Sequence, residues 1–312
     1  MDAHPHSALA IRRYRAFGLI IGSEIELPEL ASADPGFAGD DDVRILRGAI
    51  DAAPHDARRL DSASQVSETG VWLEIAAGRY YASGGRTIIV DQAPGASARD
   101  TRLYLLGAMM GAVLHQRGIL PLHANAIALD DHAIALAGPS GAGKSTLAAC
   151  FQDLGRRVLS DDVCAVTFDA DGQAWAAPGV ARIKLWGDTL IALGRDRAQL
   201  DAIADDIDKF SLPIGRASDR SAPLRRVYIL HPGGAPVVTH ARLVGLEAVN
   251  AVLSNIYRWP LATAMGRAAR QFEQVVRLMG VCEIVSLRYP PGFDVLPVLM
   301  RSLNTERRDV LS

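Results

Sequence analysis

The residues best suited to do chemistry lie together at Gly138-Pro139-Ser140-Gly141-Ala142-Gly143-Lys144-Ser145-Thr146. They fit G-x-x-x-x-G-K-[ST], the phosphate-binding loop also called the P-loop or Walker A motif. Each residue type answers a physical need. Glycine reaches positive φ without a Cβ clash, so the backbone can wrap closely around phosphate oxygens. The loop N–H groups and the start of the next helix then point at the anion. Lys144 has the reach for the β- and γ-phosphates, and the Ser145 hydroxyl is placed to ligate Mg²⁺.

A phosphate loop needs a carboxylate partner for the metal at the end of a neighbouring strand. Asp161 and Asp162 meet that description. Lys144 is followed closely enough by this pair that one helix and one return strand fill the interval. Adjacent carboxylates on extended backbone point in different directions. One can hold Mg²⁺ while the other takes a proton from an incoming hydroxyl. The assignment adopted is Ser145 and Asp162 on the metal and Asp161 as base, although the spacing leaves open which aspartate is which. His123 lies on the strand before the loop. A lone histidine in an apolar strand is more often a satisfied core residue than a site residue.

Lysine usage adds a second argument. The chain has three lysines, Lys144, Lys184 and Lys209, against thirty arginines. Arginine carries the bulk surface charge, so a lysine here answers a local need for a compact ammonium. Arg182, Lys184 and Lys209 are candidates for binding ATP phosphates or an acidic substrate. The plainer reading of each is a solvated surface charge.

Regular elements must position these groups. Ala133–Ala137 reads as a buried strand entering the loop, and Leu147–Leu154 as a helix ending near Gly155. Leu122–Leu129 reads as one strand, and Arg157–Ser160 as the strand that delivers the aspartates. Val163–Phe168 and Ala174–Ala176 form a hairpin around Asp169–Gly172, and Val180–Trp186 follows Pro178-Gly179. Residues 188–208 have a helical pattern, Val227–Leu230 and Glu283–Leu287 read as strands, and 245–280 and Val295–Leu303 as helical. Upstream, Tyr14–Ile21, Glu24–Leu27, Val43–Leu46, Val71–Ile75, Tyr80-Tyr81 and Thr87–Val90 read as a meander in one antiparallel sheet, with 51–69 a loop. Asp100–Gln116 reads as a long buried helix stopped at Gly118. The expected fold class is α/β, with an antiparallel β-rich unit at 1–97 and a phosphate-loop unit at 98–312, the helix at their junction.

Composition bounds the rest. Of 312 residues, 49% are hydrophobic and 22% charged, enough apolar material to fill a core. The net charge of −2 gives no footprint for nucleic acid. Cys150, Cys164 and Cys282 are too few and too scattered for a disulfide or zinc framework. The N-terminus, with Asp2, His4 and His6, lacks a signal pattern, and Leu103–Leu114 is too short to span a bilayer. A cytoplasmic protein without membrane insertion is expected, and assembly into a homo-oligomer is left open.

The block from Leu122 to Val166 resembles the catalytic domain of bacterial HPr kinase/phosphorylase. In that family a histidine precedes a hairpin, the hairpin feeds a G-x-S-G-x-G-K-S loop, and a strand ending in Asp-Asp follows. Here these are His123, the loop with Ser140, and Ser160-Asp161-Asp162. The whole chain also resembles a divergent branch of HPr-kinase-like proteins, through Gly18-Leu19, Leu27-Pro28-Glu29-Leu30, Pro178-Gly179 and Lys184-Leu185-Trp186. Some members of that branch sit with ribosomal peptide biosynthesis, including lasso peptides, where they phosphorylate a peptide hydroxyl. The resemblance implies a C-terminal kinase domain with the HPr-kinase-like, phosphoenolpyruvate carboxykinase-like architecture. It also implies ATP and Mg²⁺, a Ser-type hydroxyl on a protein or peptide as acceptor, and His123 orienting or assisting the base. Two departures stand out: Thr146 occupies a position where the family has a glutamate, and the family's downstream acidic-Arg-Gly stretch has no match. The rivals are a carboxykinase-like small-molecule enzyme and a non-catalytic ATP-binding adaptor.

Overall fold

A computed structural model describes residues 10–34, 36–204, 207–214 and 220–304. Asp2, His4 and His6, and part of the segment read as helical at 188–208, lie outside the described residues. Among the described residues the chain forms a mixed α/β structure with two nine-stranded sheets, a three-stranded sheet and several helices.

The first sheet is built from β1 (Arg12–Ala16), β2 (Leu19–Ser23), β3 (Ala31–Ser32), β4 (Val43–Arg47), β5 (Arg58–Arg59), β6 (Ser64–Val66), β7 (Gly70–Ile75), β8 (Gly78–Ser83) and β9 (Thr87–Gln92). Their order is β3-β1-β2-β4-β9-β8-β7-β6-β5. Tyr14–Ile21 is therefore two strands, turning at Phe17-Gly18, where both residues have positive φ. The sheet is mixed, because β2 pairs β4 and β4 pairs β9 in parallel. Parallel pairing needs a crossover between strands, and residues 24–42 provide the first. There Glu24–Leu27 leaves the sheet instead of forming a strand. The Ser23 hydroxyl donates to the Ile25 carbonyl at 2.7 Å and accepts from its N–H at 3.0 Å, which turns the chain away. Ile25 and Leu27 are still buried, so their apolar alternation reports packing and not strand.

Helix α1 (Ala98–Tyr104), a π-helical turn (Leu105–Met109) and α2 (Met110–Arg117) follow as one continuous rod. Gly118 ends it in the left-handed conformation at φ 72°. Ser97 caps its start by accepting from Asp100 N–H. The π turn and α2 share one apolar cluster with the first sheet, and Val163, Ala165, Leu261 and Met265 join it.

The second sheet takes in β10 (Leu120–Leu122), β11 (Ala124–Ala128) and β12 (Ala133–Ala137). After α3 (Lys144–Asp153) come β13 (Arg157–Ser160), β14 (Cys164–Phe168) and β15 (Ala174–Ala177). Next are β16 (Arg182–Trp186), α4 (Gly187–Ala192), a 3₁₀ turn (Arg197–Gln199), β17 (Asp201–Ala204) and β18 (Ile207–Pro213). The chain closes with β19 (Ala222–Pro232), β20 (Thr239–Leu243), α5 (Gly245–Leu253), α6 (Trp259–Ala264), α7 (Ala268–Val281), β21 (Glu283–Tyr289) and α8 (Leu296–Asn304). The order β10-β14-β15-β19-β12-β11-β13 is completed by β21 on β19 and β20 on β21. β12 is buried along its whole length. One face of the sheet packs with residues of α5 and α7, the other with α3 and α8. A strand covered on both faces reads as a continuous apolar run.

Further expectations are corrected. Residues 51–69 are not all loop, because they hold β5 and β6, paired with each other and with β7. Residues 188–208 are not one helix: α4 is short, and β17 pairs with β18, which pairs with β16, in a separate sheet. Leu122–Leu129 is not one strand. His123 breaks it, so β10 pairs β14 while β11 pairs β12 and β13. At the break, His123 N–H donates to the Asn255 carbonyl at 2.7 Å.

Candidate functional site

The loop at residues 138–146, the ends of β11 and β13, and the tip of the β16–β18 hairpin surround one cavity of about 560 Å³. The loop geometry follows from its glycines. Gly138 has φ 149°, and a Cβ there would lie 3.0 Å from the Leu230 carbonyl oxygen. Gly143, at φ 81°, turns the chain into α3. Both conformations strain any residue with a side chain. Tyr289, on β21, braces the loop by donating its hydroxyl to the Ala142 carbonyl.

Lys144 is folded back into its own loop, where Nζ donates to the Gly138 and Pro139 carbonyls at 2.7 and 3.0 Å. Burial pushes its ammonium pKa down, against the pull of Asp162 and Asp161. Ser140 and Gly141 are exposed at the loop tip, and Thr146 is buried in the first turn of α3.

Asp161 is buried and fully engaged. Its Oδ1 accepts from Ser145 Oγ and from Asn125 Nδ2, each at 2.8 Å, and its Oδ2 accepts from Lys184 N–H at 2.9 Å. Burial, then the neighbouring Asp162 charge, pushes its pKa up. Asp162 has φ 72°, a left-handed conformation that costs energy for a side chain other than glycine's. This turn sends the two carboxylates apart. Asp162 Oδ2 lies 3.0 Å from Lys184 Nζ, and its Oδ1 lies 3.1 Å from His123 Nδ1. His123 Nδ1 is also 3.1 Å from the Asp162 carbonyl, so with two acceptors facing it this nitrogen carries the hydrogen. Burial alone would raise the Asp162 pKa; the His123 hydrogen bond and the Lys184 charge hold it well below the usual carboxylate range. Lys184 is burdened by burial, yet the two aspartates raise its pKa.

The cavity therefore gathers His123, Lys144, Ser145, Asp161, Asp162, Lys184 and Lys209. Arg182 is placed elsewhere. It is buried beside Glu29, whose Oε1 is 3.5 Å from its Nη1, and burial lowers its pKa while Glu29 opposes this. Among residues that spacing alone does not single out, Asn125 stands first. It is wholly buried and ties the pair together, its Nδ2 bonding Asp161 and its Oδ1 accepting from Asp162 N–H at 3.3 Å. One amide in a strand that is otherwise alanine and isoleucine, two residues after His123, is its signal. Tyr289, Pro291, Phe293 and Leu296 also line the cavity, an apolar stretch that carries no motif.

No family model matches the chain, and no curated protein matches it in sequence. Among solved structures, the Hpr(Ser) kinase/phosphatase from Coxiella burnetii aligns with a TM-score of 0.32 and 13% identity. That alignment covers 60% of this chain and 90% of the other. So loose a likeness carries no argument about activity.

Proposed function

We propose that the chain is an ATP-dependent kinase that transfers the γ-phosphoryl group to a Ser-type hydroxyl of a protein or peptide. One observation carries this reading: all three lysines of the sequence line the cavity that holds the phosphate loop and both aspartates. Arginine outnumbers lysine tenfold in the whole chain, so this convergence favours a site built for phosphates.

The mechanism proposed is positioning plus charge stabilisation. The loop amides and Lys144 hold the β- and γ-phosphates, with Lys144 exchanging its loop carbonyls for phosphate oxygens. Ser145 Oγ and Asp161 Oδ1 form a hard-oxygen set 2.8 Å apart that fits Mg²⁺. The metal, when bound, would neutralise charge on the phosphates. The hydrogen bonds support the other order of roles from the one adopted above: Asp161 adjoins Ser145, whereas Asp162 lines the cavity paired with His123 and Lys184. Asp162 then takes the acceptor's proton, and His123 orients it. The nucleoside lies against Tyr289, Pro291, Phe293 and Leu296. Calorimetric titration with Mg-ATP, followed by mass spectrometry of a Ser-containing peptide substrate, tests the reading. A wild-type chain that binds no Mg-ATP, or a Lys144→Ala variant that transfers phosphate as well as wild type, would sink it.

A further inference from the structure

Two of the three lysines already have polar partners. Lys144 bonds to loop carbonyls, and Lys184 is paired with Asp162. Lys209 differs. It lies on β18 directly across from Trp186, the last residue of β16, and its Nζ stands 4.3 Å from the centroid of the indole ring. It forms no ion pair with any described residue. Trp186 is 43% exposed at the mouth of the cavity, which both residues line. An aromatic face holds an ammonium in place without neutralising it. Lys209 and Lys144 line the same cavity, so the two cations border one space.

We propose that Lys209 is a catalytic residue, parked on Trp186 and moving onto the equatorial oxygens of the transferring phosphoryl group, opposite Lys144. The inference rests on the phosphotransfer reading above. In the step itself, the bond from Pγ to the β–γ bridging oxygen breaks and one from Pγ to the acceptor oxygen forms. The acceptor proton passes to Asp162, and ADP leaves. Lys209 exchanges no proton; it stabilises charge that is greatest in transit, and such contacts raise rate more than ground-state affinity.

The test compares Mg-ADP alone with Mg-ADP plus aluminium fluoride, which mimics the phosphoryl group in flight, by calorimetry. Lys209→Met should leave Mg-ADP affinity within about twofold and weaken the fluoride complex by about tenfold or more. Lys209→Arg should recover part of the loss. Equal weakening of both complexes makes Lys209 a ground-state contact and overturns the proposal, as does no weakening of either. A folded Trp186→Leu variant should show a smaller selective loss, because the ammonium loses its resting place but not its charge. A wild-type chain that binds Mg-ADP but gains nothing from aluminium fluoride also overturns the proposal while sparing nucleotide binding. Failure to bind Mg-ADP takes the kinase reading down with it.

Discussion

Ser145 Oγ and Asp161 Oδ1 lie 2.8 Å apart, while the neighbouring Asp162 carboxylate is turned to His123 and Lys184. On the kinase reading proposed above, the two adjacent aspartates take different tasks, and substitution should separate them. Asp161→Asn is expected to remove the dependence of nucleotide affinity on Mg²⁺. Asp162→Asn is expected to keep Mg-ATP affinity and to slow transfer by about 10²–10⁴-fold, the usual worth of a general base. Binding titrations with and without Mg²⁺, set beside turnover, decide the matter. The opposite pattern would restore Asp162 as the metal ligand and Asp161 as base.

Asn125 gives a second prediction. Its side chain is wholly buried and holds both Asp161 and the Asp162 backbone. Asn125→Ala leaves their facing polar groups with one partner fewer in a dry strand. The cost expected is about 1–3 kcal/mol in urea unfolding. Mg-ATP affinity should fall with it, since Asp161 is no longer fixed toward Ser145. Unchanged stability would mean that water replaces the amide without loss.

The parts legible in the sequence were those fixed by local rules. The strand and helix that flank the loop at residues 138–146 were readable because glycine positions and a buried apolar run each have a local cause. The aspartates were readable as a pair but not as individuals. Their roles depend on the positive φ of Asp162, which no spacing rule reveals. The break at His123 was hidden for a similar reason, because both halves of the segment are apolar and only their partners differ. Residues 188–208 misled through their helical pattern: β17 gains its place from pairing with β18, a tertiary effect that overrides local preference. Asn125 was hidden because a single buried amide has no motif.

His115 should make stability depend on pH. It is wholly buried in α2, and its Nε2 lies 2.8 Å from the Tyr257 carbonyl, to which it donates as neutral imidazole. Burial pushes its pKa down to about 4, with the Tyr257 carbonyl opposing. Above about pH 6.5 the ring is neutral in both folded and unfolded chains. Between about 6.5 and 4 only the unfolded chain takes up the proton, so the native state loses stability as pH falls, by up to about 3 kcal/mol. His115→Gln keeps an N–H donor and cannot titrate. Urea unfolding at pH 7 and pH 4.5 should show a smaller acid loss for this variant than for wild type. Parallel losses in the two proteins would show that His115 is not the group responsible.

Glu29 ties the first sheet to the candidate site. Its Oε1 accepts from Arg102 Nε at 2.8 Å and lies 3.5 Å from Arg182 Nη1, and its backbone carbonyl accepts from Ala181 N–H at 2.9 Å. At the other end of the same segment, Phe17 N–H donates to the Pro178 carbonyl. The first sheet thus grips residues 178–182 at both ends, and β16 carries Lys184 onward to both aspartates. Glu29→Gln would leave the buried Arg182 and the half-buried Arg102 without their carboxylate. Breaking so nearly buried a pair costs up to about 3 kcal/mol. Because Lys184 hangs from the gripped segment and bonds both aspartates, transfer and Mg-ATP affinity should fall together. Pairing Glu29→Gln with Arg182→Met removes one of the stranded cations and should recover part of the stability, with a coupling measurable in a double-mutant cycle. If the two substitutions simply add, Glu29 and Arg182 do not act as one unit, and the sheet does not position Lys184 through them.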